Sequence, residues 1–250
     1  MSQVAVVGAR GRMGGASVRA IEASSDLSVV AEIDVHDDLQ DVVDKNADVV
    51  LVFSPPGVAH EQVQWCIEQG LHVVVGTSGF DEDAVQKIRA AVDQRDGVNV
   101  FVVPNFSVGA VLLARFAAKA AALFESVEII EMHHPGKVDA PSGTAQHTAE
   151  VIARARSEAG CAPSPDATSS DPHGTRGGKI EGINVHAVRV RGFMSSQQVL
   201  FGSEGELLTL RYDSVTRESL MAGVLTAIRE VPNLPGVTVG LEAVLGLEQA

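Results

Sequence analysis

The chain of 250 residues contains only two cysteines, Cys66 and Cys161, far apart in segments of different character. Such a pair offers no disulfide framework and no Cys-rich metal module, and free thiols in a reducing cytoplasm are the expectation. Basic residues are also scarce. The 19 Lys and Arg stand against 32 Asp and Glu, a net charge of −13, with no basic tract to offset it. That balance repels nucleic acid and anionic membrane, so neither is expected as a partner. No uninterrupted apolar run reaches membrane-spanning length, and the N-terminus enters a strand at once without a charged and then apolar leader, which again favours a cytoplasmic protein. Internal repeats and low-complexity tracts are missing too. What remains is a composition that is 45% hydrophobic, enough for one large core or two smaller ones.

The first fourteen residues carry the first positive signal. Val4 to Val7 is a short apolar run of strand type, followed by Gly8-Ala9-Arg10-Gly11-Arg12-Met13-Gly14 and then apolar residues at helical spacing. Strand, glycine turn and helix in this order suit a dinucleotide: glycines let the backbone turn sharply and approach a pyrophosphate, which sits on the amides of the helix start. The spacing is GxxGxxG, less common than GxGxxG. A second apolar run, Ser28 to Ile33, ends at Asp34, 20 residues beyond Gly14, where a ribose-binding carboxylate belongs. The competing reading is a tight turn beside an unrelated surface aspartate.

Apolar runs then alternate with helical patterns. Ala47 to Phe53, His72 to Val75 and Val98 to Val103 read as further strands, with helices through Glu61, Trp65 and Glu68 and from Asp81. Continuously apolar strands separated by helices predict a parallel sheet covered on both faces, a Rossmann-like doubly wound α/β fold. Ligands of such sheets bind beyond the carboxyl ends of the strands. Gly76, Thr77 and Ser78, and likewise Val103, Pro104, Asn105 and Phe106, are therefore candidates for cofactor contact, though each stretch also reads as ordinary turn chemistry.

After Phe106 the pattern changes. A helix from Ser107 to Phe124 leads into a strand, Val127 to Met132, and a second helix runs from Ser142 to about Glu158. Gly160 to Gly178 is a long loop and a candidate lid. Three strand-like runs follow, Gly182 to Val190, Gln197 to Phe201 and Glu206 to Tyr212, with Gly202-Ser203-Glu204-Gly205 as a hairpin turn. An amphipathic helix, Thr216 to Glu230, and apolar runs at Val237 to Val239 and Leu241 to Leu247 close the chain. The expected plan is a dinucleotide domain from 1–106 plus 216–250, with an inserted α+β domain, 107–215, for substrate binding and oligomerisation.

The densest chemistry lies in Glu131-Met132-His133-His134-Pro135-Gly136-Lys137-Val138-Asp139-Ala140-Pro141-Ser142-Gly143-Thr144-Ala145. Imidazoles exchange protons near neutral pH, and a lysine beside a helix start holds anions. While the chain is extended, His133 and His134 point to opposite faces, and Pro135-Gly136 supplies a turn after them. Ser142 is placed to cap the second helix, with the Gly143 and Thr144 amides exposed to a substrate carboxylate. Metal binding by Glu131, His133, His134 and Asp139 is the sharpest competitor. Neither HExxH nor paired cysteines occurs, however, and Lys137 would oppose a cation, so no metal is expected.

Four motifs, GxxGRMG at Gly8 to Gly14, GTSGF at Gly76 to Phe80, PNFSVGA at Pro104 to Ala110 and EMHHPGKVDAPSGTA at Glu131 to Ala145, with the closing SVTRESLMAGVLTAIREV, span nearly the whole chain. In these the sequence resembles the 4-hydroxy-tetrahydrodipicolinate reductase (dihydrodipicolinate reductase) family of the diaminopimelate and lysine pathway. The resemblance implies an NADH- or NADPH-dependent reductase of a small cyclic dicarboxylate. It implies His133 as proton donor or acceptor, Lys137 as proton donor, and His134, Gly143 and Thr144 as substrate contacts. Dinucleotide contacts are implied at Gly8, Ala9, Arg10, Gly11, Arg12 and Met13, at Asp34, at Gly76 to Ser78 and at Val103 to Phe106, together with a homotetramer joined through the inserted sheet. Many members carry an arginine after the acid that ends the second strand, whereas Val35 and His36 follow Asp34 here. Asp34 suits the free ribose hydroxyls of NADH, and Arg10 and Arg12 offer charge to the phosphate of NADPH. The alternatives are another two-domain NAD(P)-dependent dehydrogenase and a non-catalytic dinucleotide-sensing regulator.

Overall fold

Short runs of valine and isoleucine with no polar interruption cannot present one face to water, and in the computed structural model they form the buried centre of a parallel sheet. The structure describes residues 1–246, and the chain divides into two units, Met1–Val108 with the chain from Arg217 onward, and Gly109–Thr216. The last apolar residue of the closing run, Leu247, lies outside the described residues.

In the first unit, β1 (Ser2–Val7), β2 (Leu27–Ile33), β3 (Val49–Val52), β4 (His72–Val75), β5 (Val100–Val102) and β11 (Val237–Val239) pair in the order β11-β5-β4-β3-β1-β2, all parallel. Helices α1 (Arg12–Glu22), α3 (Pro56–Glu68) and α4 (Glu82–Val92), with the short α2 (Asp41–Asp44), connect them. Strands β3 and β5 are shorter than the apolar runs that announce them. Phe53 and Val103, just beyond their carboxyl ends, already belong to the loops, although Phe53 still donates its amide to the Val7 carbonyl at 2.8 Å. Strand β2 follows β1 on one side and β3 lies on the other, so chain direction along the sheet switches at β1, the position where open α/β sheets bind ligands. The terminal α7 (Met221–Glu230), introduced by a 3-10 turn at Arg217–Leu220, also belongs to this unit.

The second unit joins α5 (Val108–Ala121), β6 (Ser126–His133), α6 (Gly143–Glu158), β7 (Gly178–Ile180), β8 (Ile183–Arg189), β9 (Ser195–Ser203) and β10 (Glu206–Ser214). The sheet order is β10-β9-β6-β8-β7, with only the β6–β8 pair parallel. Ser203 pairs with Glu206, so the β9–β10 turn contains only Glu204 and Gly205; Gly202 and Ser203 continue the strand instead of turning. One sheet face packs Val127, Ile129, Val199 and Phe201 against alanines of α5 and against Ala145, Ala149 and Ile152 of α6. On the other face Ile130 and Leu200 stay half-buried and Leu207 is exposed. The residues from Gly160 to Gly177 lack regular structure and are fastened down. Ser164 accepts the Val127 amide, while Arg176 binds Glu128 and Asp166.

Arg156 of α6 is almost fully buried and donates to the carbonyls of Ala121, Phe124, Glu125 and Ala162 at 2.7–3.0 Å. Its guanidinium closes the C-terminal end of α5, where carbonyls lack helical partners. Arg156→Met keeps most of the stem and removes these bonds, which is expected to destabilise the second unit by about 2–4 kcal/mol. Urea unfolding combined with amide exchange in α5 and α6 measures this; unchanged protection there would contradict it.

Candidate active site

In the first unit the carboxyl ends of β1, β2, β4 and β5 bring the sequence-predicted cofactor residues to one sheet edge. Gly8 has φ +82°, a conformation costly for residues with a side chain, and a Cβ there would come within 2.9 Å of the Phe53 carbonyl carbon. A Cβ on Gly14 would lie 2.1 Å from the Gly8 carbonyl oxygen, so only glycine lets α1 start so close to the turn. The turn is fastened to the end of β2: Gly8 and Ala9 donate to the Ile33 carbonyl, and the Arg10 amide donates to the Asp34 carboxylate at 2.9 Å. Asp34 also accepts the Val35 amide, and these backbone bonds hold its carboxyl below the usual aspartate range. No side chain caps α1 and its first turn holds no acid, whereas α4 is capped by Asp81 and begins with Glu82 and Asp83. The start of α1 thus keeps the positive end of its dipole for an anion.

The cofactor candidates differ in what they expose. Arg10, Gly11 and Arg12 are exposed and Met13 is half-buried, while Ala9 is packed inside. The Arg10 guanidinium sits on Asp37 at 3.1 Å, a partner that motif reading missed. Gly76 has no room for a side chain, since a Cβ would meet the Phe53 ring at 2.2 Å. Thr77 is buried and donates to the Ser54 carbonyl at 2.8 Å, and Ser78 is exposed. Pro104 is exposed and Asn105 half-buried, but Val103 and Phe106 are buried, the Phe106 ring lying edge-on to Phe53 at 5.8 Å. The Phe106 side chain is therefore a packing group, and its carbonyl lies against Gly223 of α7, where a Cβ would come within 2.1 Å of the oxygen. The turn, Asp34 and the α1 start fit a dinucleotide on steric and electrostatic grounds.

In the second unit the His-His segment is built around a residue that motif reading used only as a possible metal ligand. Glu131 and His133 are two apart in β6 and so share a face. The Glu131 side chain is fully buried and receives four donors. His133 Nδ1 lies 2.6 Å from Oε2, Arg189 donates to both oxygens at 2.8 Å, and the Ser142 amide reaches Oε1 at 3.1 Å. Burial pushes the Glu131 carboxyl up, but the bonds from Arg189 and His133 outweigh it and hold the group below its ordinary value. Burial lowers His133, the adjacent Glu131 resists this, and the charges of Lys137 and Arg189 add to the lowering. Both shifts run the same way, favouring the ionised carboxylate of Glu131 and the neutral ring of His133.

Arg189, at the end of β8, also donates to the Asp139 carbonyl at 2.7 Å and so holds the loop between β6 and α6. Within that loop Lys137 binds both oxygens of Asp139 at 2.7 and 2.9 Å, and its amide closes the Pro135-Gly136 turn on the His134 carbonyl. Ser142 caps α6 by accepting the Ala145 amide, and the first turn carries no acid. Gly143 is exposed with open space where a Cβ would be, and Thr144 and His134 are half-buried. Glu131 thus ties His133 and, through the Ser142 amide, the α6 start that carries Gly143 and Thr144 to one point, with Lys137 near enough for its charge to act on His133, while the His134 ring lies against Gly136. Beneath α6, buried Gln197 donates to Thr148, which donates to the Thr144 carbonyl. Tyr212 meets the Ser195 hydroxyl at 3.3 Å, and burial pushes its phenol up. Among the described residues no group of three or more His, Cys, Asp or Glu is arranged to hold a metal ion.

Comparison with known proteins agrees in both units. Residues 2–106 match the family model described as "Dihydrodipicolinate reductase, N-terminus", and residues 109–245 match "Dihydrodipicolinate reductase, C-terminus". The chain is 51% identical over 248 residues to a 4-hydroxy-tetrahydrodipicolinate reductase of Thermobifida fusca and 49% identical over 248 residues to one of Cutibacterium acnes. Each alignment covers 99% of this chain and 100% of the relative. The dipicolinate-bound dihydrodipicolinate reductase from Paenisporosarcina sp. TG-14 superposes with a TM-score of 0.87 at 34% identity, covering 98% of this chain and 100% of that one. A probable dehydrogenase from Thermotoga maritima shares the fold at a TM-score of 0.62 and 16% identity. The chain belongs to the dihydrodipicolinate reductase family.

Proposed function

We propose that this protein reduces (2S,4S)-4-hydroxy-2,3,4,5-tetrahydrodipicolinate to 2,3,4,5-tetrahydrodipicolinate with loss of water, using NADH or NADPH, in L-lysine synthesis through diaminopimelate. The observation that carries this reading is the bond network of Glu131, which fixes a proton-exchanging imidazole and an acid-free helix start in one segment. A small dianion needs both a cradle for its carboxylates and a proton source near its ring. The Gly143 and Thr144 amides, with His134 and Lys137, hold the carboxylates, Lys137 exchanging Asp139 for the substrate. The Gly8–Met13 turn, Asp34, Gly76–Ser78 and Val103–Phe106 hold the dinucleotide, which when bound supplies the hydride. The hydride replaces the 4-hydroxyl, which leaves as water, so one proton is consumed. His133 delivers that proton, and Lys137 assists as a second donor. A cytoplasmic homotetramer assembled through the face of the second sheet that bears Ile130, Leu200 and Leu207 completes the reading.

The test is a coupled assay in which a preceding synthase condenses pyruvate with aspartate semialdehyde and dinucleotide oxidation is followed by absorbance. Substrate-dependent oxidation is expected, with His133→Gln lowering kcat by roughly two to four orders of magnitude and leaving KM nearly unchanged. Unaltered turnover in that variant removes His133 from the chemistry. Tight dinucleotide binding without any substrate-dependent oxidation favours the sensing regulator instead.

NADH is the preferred coenzyme in this reading. Asp34 repels a 2′-phosphate, Val35 and His36 follow it where an arginine would help, and Arg10 is held by Asp37. Asp37→Ala releases Arg10 and is expected to raise kcat/KM for NADPH relative to NADH roughly 3- to 10-fold, the scale of one exposed charge contact. An unchanged ratio contradicts this account of Arg10.

A further inference from the structure

The Glu131 carboxylate touches His133 through one ring nitrogen only, and that contact dictates where the imidazole carries its hydrogen. An ionised carboxylate is purely an acceptor. Nδ1, 2.6 Å from Oε2, must then be protonated, and in the neutral ring Nε2 holds the lone pair. Arg189 makes this assignment firm. Its two nitrogens each donate to a different Glu131 oxygen at 2.8 Å, so the carboxylate stays an anion and cannot take over the imidazole proton. The Ser142 amide on Oε1 fixes the carboxylate plane from a third direction. Strand pairing supports the same geometry, since β6 lies beside β8 and places His133 opposite Arg189.

We propose that Glu131, clamped by Arg189, is the positioning residue of this enzyme: it fixes His133 as the Nδ1–H tautomer, so that Nε2 is the atom that takes a proton from solvent and gives it to the substrate. The proposal rests on the reading that His133 delivers the proton, and it adds which nitrogen acts and what selects it. In the proton cycle, solvent protonates Nε2, the imidazolium keeps its Nδ1 hydrogen on Glu131, and Nε2 then releases its proton to the reacting ring or its departing hydroxyl. No oxidant or further reactant is required, and the ring returns to the tautomer in which it began. The charged and titratable groups around this unit are Glu131 on β6, Lys137 in the following loop, Arg189 on β8 and Tyr212 on β10. Of these, Glu131 stabilises the imidazolium, whereas Lys137 and Arg189 oppose it. Removing the Glu131 charge must therefore make His133 harder to protonate.

The test is nitrogen NMR of full-length protein labelled with ¹⁵N-histidine, in which the His133 resonances are assigned by their loss in His133→Gln. At neutral pH the wild type is expected to show a pyrrole-type Nδ1 and a pyridine-type Nε2. Glu131→Gln is expected to abolish that preference, to lower kcat roughly 100-fold or more, and to move the His133-dependent limb of the kcat–pH profile to lower pH, a shift that loosening of the substrate cradle alone would not produce. Arg189→Lys keeps the positive charge without the fork and should show a smaller loss in the same direction. An Nε2–H tautomer in the wild type overturns the proposal whether or not the variants fold. A folded Glu131→Gln with unchanged kcat and pH profile also overturns it. Full activity in His133→Gln overturns the underlying functional reading, whereas an inactive His133→Gln together with an Nε2–H wild type overturns this inference alone.

Discussion

Burying a carboxylate in a protein interior is costly unless its oxygens are met by donors and its charge is met by a cation. Glu131 satisfies both conditions, with Arg189 across its two oxygens, the His133 ring on one and the Ser142 amide on the other. Each donor belongs to a different part of the second unit: the end of β6, the end of β8 and the start of α6. The same bonds that offset the burial cost therefore draw together the groups a dianionic substrate needs. Without the carboxylate, Arg189 loses its main partner and the Ser142 amide loses its acceptor, so the loop from His134 to Pro141 has less to hold it. Removing one partner of such a buried pair commonly costs about 3–5 kcal/mol, large beside the few kcal/mol by which a domain is stable.

The first unit depends on space more than on charge. The net charge of −13 cannot attract a dinucleotide, so local donors must. Gly8 and Gly14 allow α1 to begin against the turn after β1, and the absence of acid from its first turn leaves the helix dipole for a phosphate. Asp34 serves the turn before it serves any ribose, because its carboxylate already holds the Arg10 amide. The Asp34 carboxylate is therefore fixed by the turn itself, through the Arg10 and Val35 amides.

Much of this was legible because local rules sufficed. The apolar runs announced the parallel strands, Asp81 and Ser142 announced helix starts, and α6 ends at Glu158 as its periodicity predicts. Strands β3 and β5 fell short of their apolar runs because residues such as Phe53 and Val103 are buried in loops, and burial alone does not distinguish the two. The pairing of Glu131 with His133 was within reach, since residues two apart in a strand share a face. Arg189 was not, because the contact joins residues 58 apart through a parallel strand pair that no local pattern encodes. The Arg10–Asp37 pair was hidden in the same way, across 27 residues.

The central claim, that one buried carboxylate sets the substrate cradle and the proton-exchanging ring together, is tested most directly by a crystal structure with pyridine-2,6-dicarboxylate and reduced coenzyme bound. The account predicts a ligand carboxylate on the Gly143 and Thr144 amides, His133 Nε2 turned toward the ring, and Nδ1 still on Glu131. A ring bound elsewhere, or a His133 that has left Glu131 to present Nδ1, would contradict it.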